Sequence, residues 1–164
     1  GFKSPTPVST MVLLPLIRDN VSVPIIAAGG IKDGRTMAAA FALGAEGVQM
    51  GTQMVSSYES PVHENWKNAI IAASETDTLF LNQKHSPALR ALRTDRSERL
   101  LDSQENIFGE FGIPQDLYFG GDMEAAIALS GQVAGRIDKV RTVSDIIDAT
   151  VSEFGETVRY LNKK

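Results

Sequence analysis

Two pairs of residues stand out for chemistry, Gly29-Gly30 and Gly51-Thr52. Each closes a short apolar run, Val23-Pro24-Ile25-Ile26-Ala27-Ala28 in the first case and Gly47-Val48-Gln49-Met50 in the second. Glycine at a strand end lets a ligand approach bare backbone, and successive N–H groups can cup an anion. Thr52 adds a hydroxyl donor. In (β/α)8 barrels the phosphate site lies in the loops after strands seven and eight. Two adjacent parallel strands, each ending in glycine at one edge, would form such a site. Tight βα turns without a ligand fit the same spacing equally well, because Gly-Gly after a strand is a weak signal.

Other chemistries are poorly supplied. The 164 residues contain no cysteine, so disulfides, thiolate catalysis and cysteine-ligated zinc are excluded. Two histidines, His63 and His85, argue against a multi-histidine metal centre, and no metal ligands are assigned. A net charge of −4 gives no basic footprint for nucleic acid. No apolar run approaches the ~20 residues of a membrane span, and no basic segment with an apolar core opens the chain. The expectation is a cytoplasmic protein with no membrane or nucleic-acid partner. A hydrophobic share of 43% suffices for a packed core.

The elements that position the glycines read as a βαβ unit over residues 23–52, near the usual ~30 residues. Residues 23–28 form the first strand, apolar on both faces as buried parallel strands are. Asp33 caps a helix over 34–43, with Gly44 just past its end. Residues 47–51 form the second strand. Before this unit, Ser9 or Thr10 caps a helix through Ile17, with Pro15 near its first turn. After it, helices are expected from Ser60-Pro61 through Ile71, over Ala88–Leu92, across 97–110, from Asp122 to about Gly135, and from Thr142 onward. Leu79-Phe80-Leu81 is the one further strand candidate. Two parallel strands with apolar faces need more strands beside them, and the sequence does not contain them.

The series Pro24-Ile25-Ile26-Ala27-Ala28-Gly29-Gly30-Ile31-Lys32-Asp33-Gly34-Arg35 and Leu43-Gly44-Ala45-Glu46-Gly47-Val48-Gln49-Met50-Gly51-Thr52 resembles the nitronate monooxygenase (2-nitropropane dioxygenase) family. FMN-dependent enoyl-acyl-carrier-protein reductases belong to the same superfamily. The resemblance continues through Ser9-Thr10-Met11, Leu14-Pro15, Glu59-Ser60, Thr76-Asp77-Thr78, Arg90-Ala91-Leu92 and Ser130-Gly131-Gln132. It implies the C-terminal part of an FMN-binding (β/α)8 barrel, α/β in class. Residues 23–28 would be strand seven and 47–51 strand eight, followed by a mostly helical tail. Residues 1–58 would then carry the FMN phosphate site and 59–164 the helical remainder of the same domain.

By the same resemblance, Gly29, Gly30, Gln49, Met50, Gly51 and Thr52 are the cofactor-binding residues. The N–H groups of Gly30, Gly51 and Thr52 are the sensible phosphate donors. Gln49 fits a place near the flavin ring and simple barrel packing equally well. Asp33 and Arg35 read as a helix cap and its surface partner. Gly131 fits a close approach to the site or tight helix packing.

The implied reaction is oxidation of a nitronate by O2 through FMN, giving a carbonyl compound and nitrite. Reduction of an enoyl thioester by NAD(P)H through FMN is the alternative, and a homo-oligomer is left open. Gln53 stands where the family often has Arg or Ala. The family's catalytic His belongs to a Gly-Gly-His-x-Gly motif whose last glycine looks like Gly1, so no catalytic residue is assigned in this chain. His63 and His85 do not replace it; exposed or packing roles are expected for both. With no initiator methionine and a loop-like Gly1–Pro7 opening, a fragment is expected, inactive alone or dependent on a partner chain.

Overall fold

The structure, a computed structural model, describes residues 2–164, with side chains from Lys3 onward. Gly1, read above as the end of the histidine motif, lies outside the described residues. In chain order the elements are β1 (Phe2–Lys3), α1 (Thr10–Arg18), β2 (Ile26–Ala28), α2 (Gly34–Ala42), β3 (Gly47–Gln49), α3 (Thr52–Val55), α4 (Glu64–Ala72), β4 (Thr78–Leu81), β5 (Ala88–Leu92), α5 (Asp95–Arg99), α6 (Pro114–Tyr118) and α7 (Val143–Leu161). Single 3-10 turns cover Ile107–Glu110 and Gln132–Arg136. The chain is mixed α/β and divides into two compact units. One comprises Val8–Gly51 and Arg141–Lys164; the other comprises the N-terminal residues to Pro7 and Thr52–Val140.

The first unit is built on the expected βαβ. β2 and β3 run parallel, with Ile26, Ala27 and Ala28 opposite Gly47, Val48 and Gln49. The Asp33 carboxylate accepts the Thr36 N–H at 2.9 Å, and Thr36 returns its hydroxyl to the backbone N–H of Asp33. This capping box satisfies donors that the first turn of α2 leaves free. At the other end Gly44 adopts φ +100°, donates to the Phe41 carbonyl, and lets the Ala45 N–H reach Ala40. That is the glycine-terminated helix stop foreseen from the sequence.

α7 lies along α2. The Gly34 N–H donates to the Glu153 carboxylate at 2.8 Å, and Phe41 meets Phe154 edge-on at 5.2 Å between ring centres. A Cβ on Gly34 would run into the backbone of Glu153 and Phe154, so this contact needs glycine. Leu14, Ile25, Ala27, Ile31, Ala40 and Ala45 form the unit's core.

Two readings of this unit need correction. The strands are shorter than 23–28 and 47–51, and β2 is not covered on both faces. Ala27 is 1% exposed but Ile26 is 60% exposed, because β2 pairs only with β3 and nothing in the unit covers the Ile26 face. Pro15 sits inside α1 rather than in its first turn. Lacking an N–H, it leaves the Met11 carbonyl without its helical partner.

The second unit centres on an antiparallel sheet in the order β1-β5-β4. β4 confirms the Leu79-Phe80-Leu81 candidate. Residues 88–92 are not helical. Ala, Leu and Arg favour helix, but β5 pairs along one edge with β4 and along the other with β1. Ala88, Leu89, Ala91 and Leu92 are buried, so tertiary pairing overrides local propensity. The helix expected from Asp122 to Gly135 is also absent. Residues 128–130 instead lie against β5: the Leu92 N–H donates to the Ala128 carbonyl, and the Ser130 N–H to that of Arg90.

Residues 97–110 hold only the end of α5 and one 3-10 turn. The helix expected from Ser60-Pro61 starts at Glu64 instead, capped by His63. The Ser60 N–H is taken by the Ser57 hydroxyl, and its carbonyl accepts the buried Lys67 ammonium at 2.7 Å. The tail is therefore less helical than expected. β2 and β3 are the parallel strands among the described residues, and they do not close a barrel.

Candidate functional site

The register of β2 on β3 sets Ala28 opposite Gln49, so the two strands end level. Both chains then turn away through glycine. Gly29 and Gly30 have φ of +90° and +79°, a region L side chains rarely enter. Two successive left-handed residues are what the first loop requires. Thr10 secures it by donating its hydroxyl to the Gly29 carbonyl at 3.1 Å. A Cβ on Gly30 or on Gly51 would meet nothing within 4 Å. Neither glycine is there to avoid a neighbour, and both face open space. Their N–H groups donate to no other described residue. Free backbone donors beside open space, at the level ends of two parallel strands, suit an anionic ligand group.

Of the other predicted residues in this unit, Gln49 is exposed and its side chain forms no hydrogen bond among the described residues. The Met50 side chain is partly buried and packs against the unit's core. Asp33 caps α2 as expected. Arg35 pairs with Asp33 at 3.6 Å and with Glu153 at 3.2 Å, as a surface partner would.

Thr52 opens the second unit. Its hydroxyl oxygen accepts the Gly131 N–H at 2.9 Å. A Cβ on Gly131 would stand 3.3 Å from that oxygen, tighter than ordinary packing. Gly131 is thus part of the surroundings of Thr52 rather than of a helix. Its place in the motif was legible, and a Ser-Gly pair inside a supposed helix was the signal that no helix runs there. Gln53 follows, 6% exposed, and its carboxamide makes no hydrogen bond among the described residues.

The histidines are occupied elsewhere. His63 Nδ1 accepts the Asn65 N–H at 3.1 Å as the cap of α4. His85 Nε2 lies 3.0 Å from the Gln104 carbonyl. Trp66 is core, tilted against Tyr118 at 4.7 Å. Asp77, from the Thr76-Asp77-Thr78 motif, is an anchor. Its carboxylate accepts the N–H and hydroxyl of Ser74 at 2.8 and 2.7 Å. These bonds, with Arg93 nearby, hold it below the usual carboxylate pKa. Burial lowers the pKa of Arg90, which lies over the Phe80 ring and donates to the Thr78 hydroxyl. Among the described residues no cluster of acidic or histidine side chains could hold a metal ion. Among the described residues no helix is long and apolar enough to cross a membrane.

The sequence profile of the nitronate monooxygenase family matches residues 1–153. A probable nitronate monooxygenase of Staphylococcus aureus (strain MSSA476) is 33% identical over 161 residues, covering 93% of this chain and 45% of that protein. The structure of FabK from Thermotoga maritima superposes with a TM-score of 0.88 at 42% identity, over 96% of this chain and 52% of the other. A nitroalkane oxidase from Streptomyces ansochromogenes shares the fold, with a TM-score of 0.76 at 20% identity, over 94% of this chain and 46% of the other. The chain spans about half the length of the curated relatives it matches. These neighbours are (β/α)8 barrels. The chain belongs to the nitronate monooxygenase family.

Proposed function

We propose that β2 and β3 serve as strands seven and eight of an FMN-binding barrel, and that the protein is an FMN-dependent oxidoreductase acting on nitronates. The observation that carries this reading is the pair of open glycine turns at the level ends of β2 and β3, with the N–H groups of Gly30 and Gly51 unclaimed. Gly29 shapes the first turn, and Gly51 and Thr52 continue the second strand's exit. Met50 follows with its side chain partly against the core, and Gln49 remains available to the ligand. FMN, when bound, supplies the chemistry that passes electrons from a nitronate to O2, yielding a carbonyl compound and nitrite.

The chain's own part is to hold the phosphate with neutral backbone dipoles that need no reorganisation. Neither histidine is assigned as the base, since His63 caps a helix and His85 meets a backbone carbonyl. The exposed Ile26 face of β2 is what further barrel strands would cover. The proposed division of labour keeps the phosphate site in residues 1–58, with 59–164 supporting it, in a cytoplasmic protein.

A second reading has its own support. The identity to FabK, an enoyl-acyl-carrier-protein reductase, is 42%, higher than the 33% to the probable nitronate monooxygenase. The same cradle would then serve FMN carrying hydride from NAD(P)H to an enoyl thioester. Feeding the protein a nitronate with O2, and separately NAD(P)H with an enoyl thioester, separates the two. Nitrite release with O2 consumption is expected; turnover of the second pair alone would overturn the first reading in favour of the second.

A further inference from the structure

The Gly29 carbonyl that Thr10 holds belongs to the same peptide group as the Gly30 N–H. This peptide is trans. A trans peptide is planar, and its C=O and N–H point in opposite directions. The Thr10 hydroxyl donates to the Gly29 oxygen at 3.1 Å, which fixes the carbonyl toward α1. The Gly30 N–H is thereby directed away from α1. It donates to no other described residue, and a Cβ on Gly30 would meet nothing within 4 Å. Among the described residues the Thr10 hydroxyl is the sole hydrogen-bond partner of this peptide group.

Thr10 is itself well placed. It stands one turn before Leu14, so the two share a face of α1, and Leu14 is buried in the core of the same unit. Ser9, at the N-cap, makes no side-chain capping bond, and the Thr10 proton goes to the loop rather than to the helix. The loop needs such a restraint. Reversing the plane of the Gly29–Gly30 peptide changes ψ of Gly29 and φ of Gly30 and leaves the chain on either side in place. Glycine enters positive and negative φ about equally, so two glycines at +90° and +79° resist this reversal poorly. The reversed peptide would present an oxygen where the structure presents a donor.

We propose that Thr10 is a positioning residue that selects between two orientations of the Gly29–Gly30 peptide. Its hydroxyl keeps the carbonyl toward α1, so that the N–H and not the oxygen faces the ligand. This rests on the anion reading of the first glycine turn and adds the residue that makes the turn a donor. Thr10, Leu14, Gly29 and Gly30 all lie in one compact unit.

The test uses T10V, which removes the hydroxyl, T10A, which removes it without β-branching, and T10S, which keeps it. In the ligand-free protein, NMR of the Gly30 amide reads the peptide orientation directly. T10V and T10A should broaden or split that signal, and T10S should match the wild type. The second readout is affinity for FMN and for riboflavin, which lacks the phosphate. T10V and T10A should lose about two- to tenfold for FMN, the worth of one exposed neutral hydrogen bond, with riboflavin unchanged and T10S close to wild type. Equal losses for both flavins, or a Gly30 signal that none of the variants alters, would overturn the proposal. A wild-type preference for FMN that T10V and T10A leave intact would overturn this inference alone. A wild-type protein without that preference would overturn the phosphate reading itself, and with it the role of Thr10 toward the ligand.

Discussion

The parallel and antiparallel units bury their residues very differently. In the antiparallel unit, Trp66, Ile70, Leu81, Leu89, Ile107, Leu117 and Ile127 are fully enclosed, and β5 is paired along both edges. In the parallel unit, Met11, Val12 and Leu16 of α1, Ile26 of β2, and Ile147 and Val151 of α7 stand exposed. Parallel strands in α/β proteins are ordinarily covered on both faces. The lesson is that the antiparallel unit finishes its own core, whereas the parallel unit holds the open strand ends at which such folds bind ligands.

That contrast can be broken by mutation. The largest effect is expected for Trp66→Ala, which empties the centre of a closed core. It should cost about 3–5 kcal/mol in denaturant unfolding, with loss of amide protection in β4 and β5 and little change in α2. Loss spread evenly over both units would show that they are not energetically distinct.

Gly34→Ala tests the other side. The added methyl meets backbone of α7 rather than a movable side chain, and overpacking of this kind costs about 1–3 kcal/mol. Hydrogen exchange should rise in α2 and α7 and stay unchanged in β5.

The smallest effect concerns pH. Asp77 has its folded pKa lowered, chiefly by its hydrogen bonds from Ser74. Its contribution is therefore present above the carboxylate's unfolded pKa and is lost as pH falls through the lowered folded value. Asp77→Asn should flatten this acid-side dependence of stability slightly and leave the neutral range nearly unchanged. An unaltered acid limb would show that the Ser74 contacts carry no linkage.

Legibility from sequence follows the same divide. The βαβ unit was readable because its signals are local: Asp33 caps the helix, Gly44 ends it, and Gly29-Gly30 ends a strand. The last helix, opened by Thr142, was readable for the same reason. The antiparallel unit was misread where pairing across the chain decides. Ala88–Leu92 carries helix-favouring residues yet is clamped between β4 and β1, and within the stretch expected as a helix from Asp122 residues 128–130 lie extended against β5. The residues of the proposed site were legible as a motif. That Gly131 reaches Thr52 across 79 positions of sequence was not, since nothing local encodes a contact at that separation.

The most direct test of the central claim, that the ends of β2 and β3 cradle a phosphate, uses Gly51→Val. Its Cβ would enter open space, so the protein should stay folded with its melting temperature little changed, while the branched side chain occupies the room beside the Gly51 N–H. The wild-type protein is expected to bind FMN at least about tenfold more tightly than riboflavin, as a charge-assisted contact would give, and the variant is expected to lose this preference. A folded Gly51→Val protein that discriminates between FMN and riboflavin as well as the wild type would contradict it.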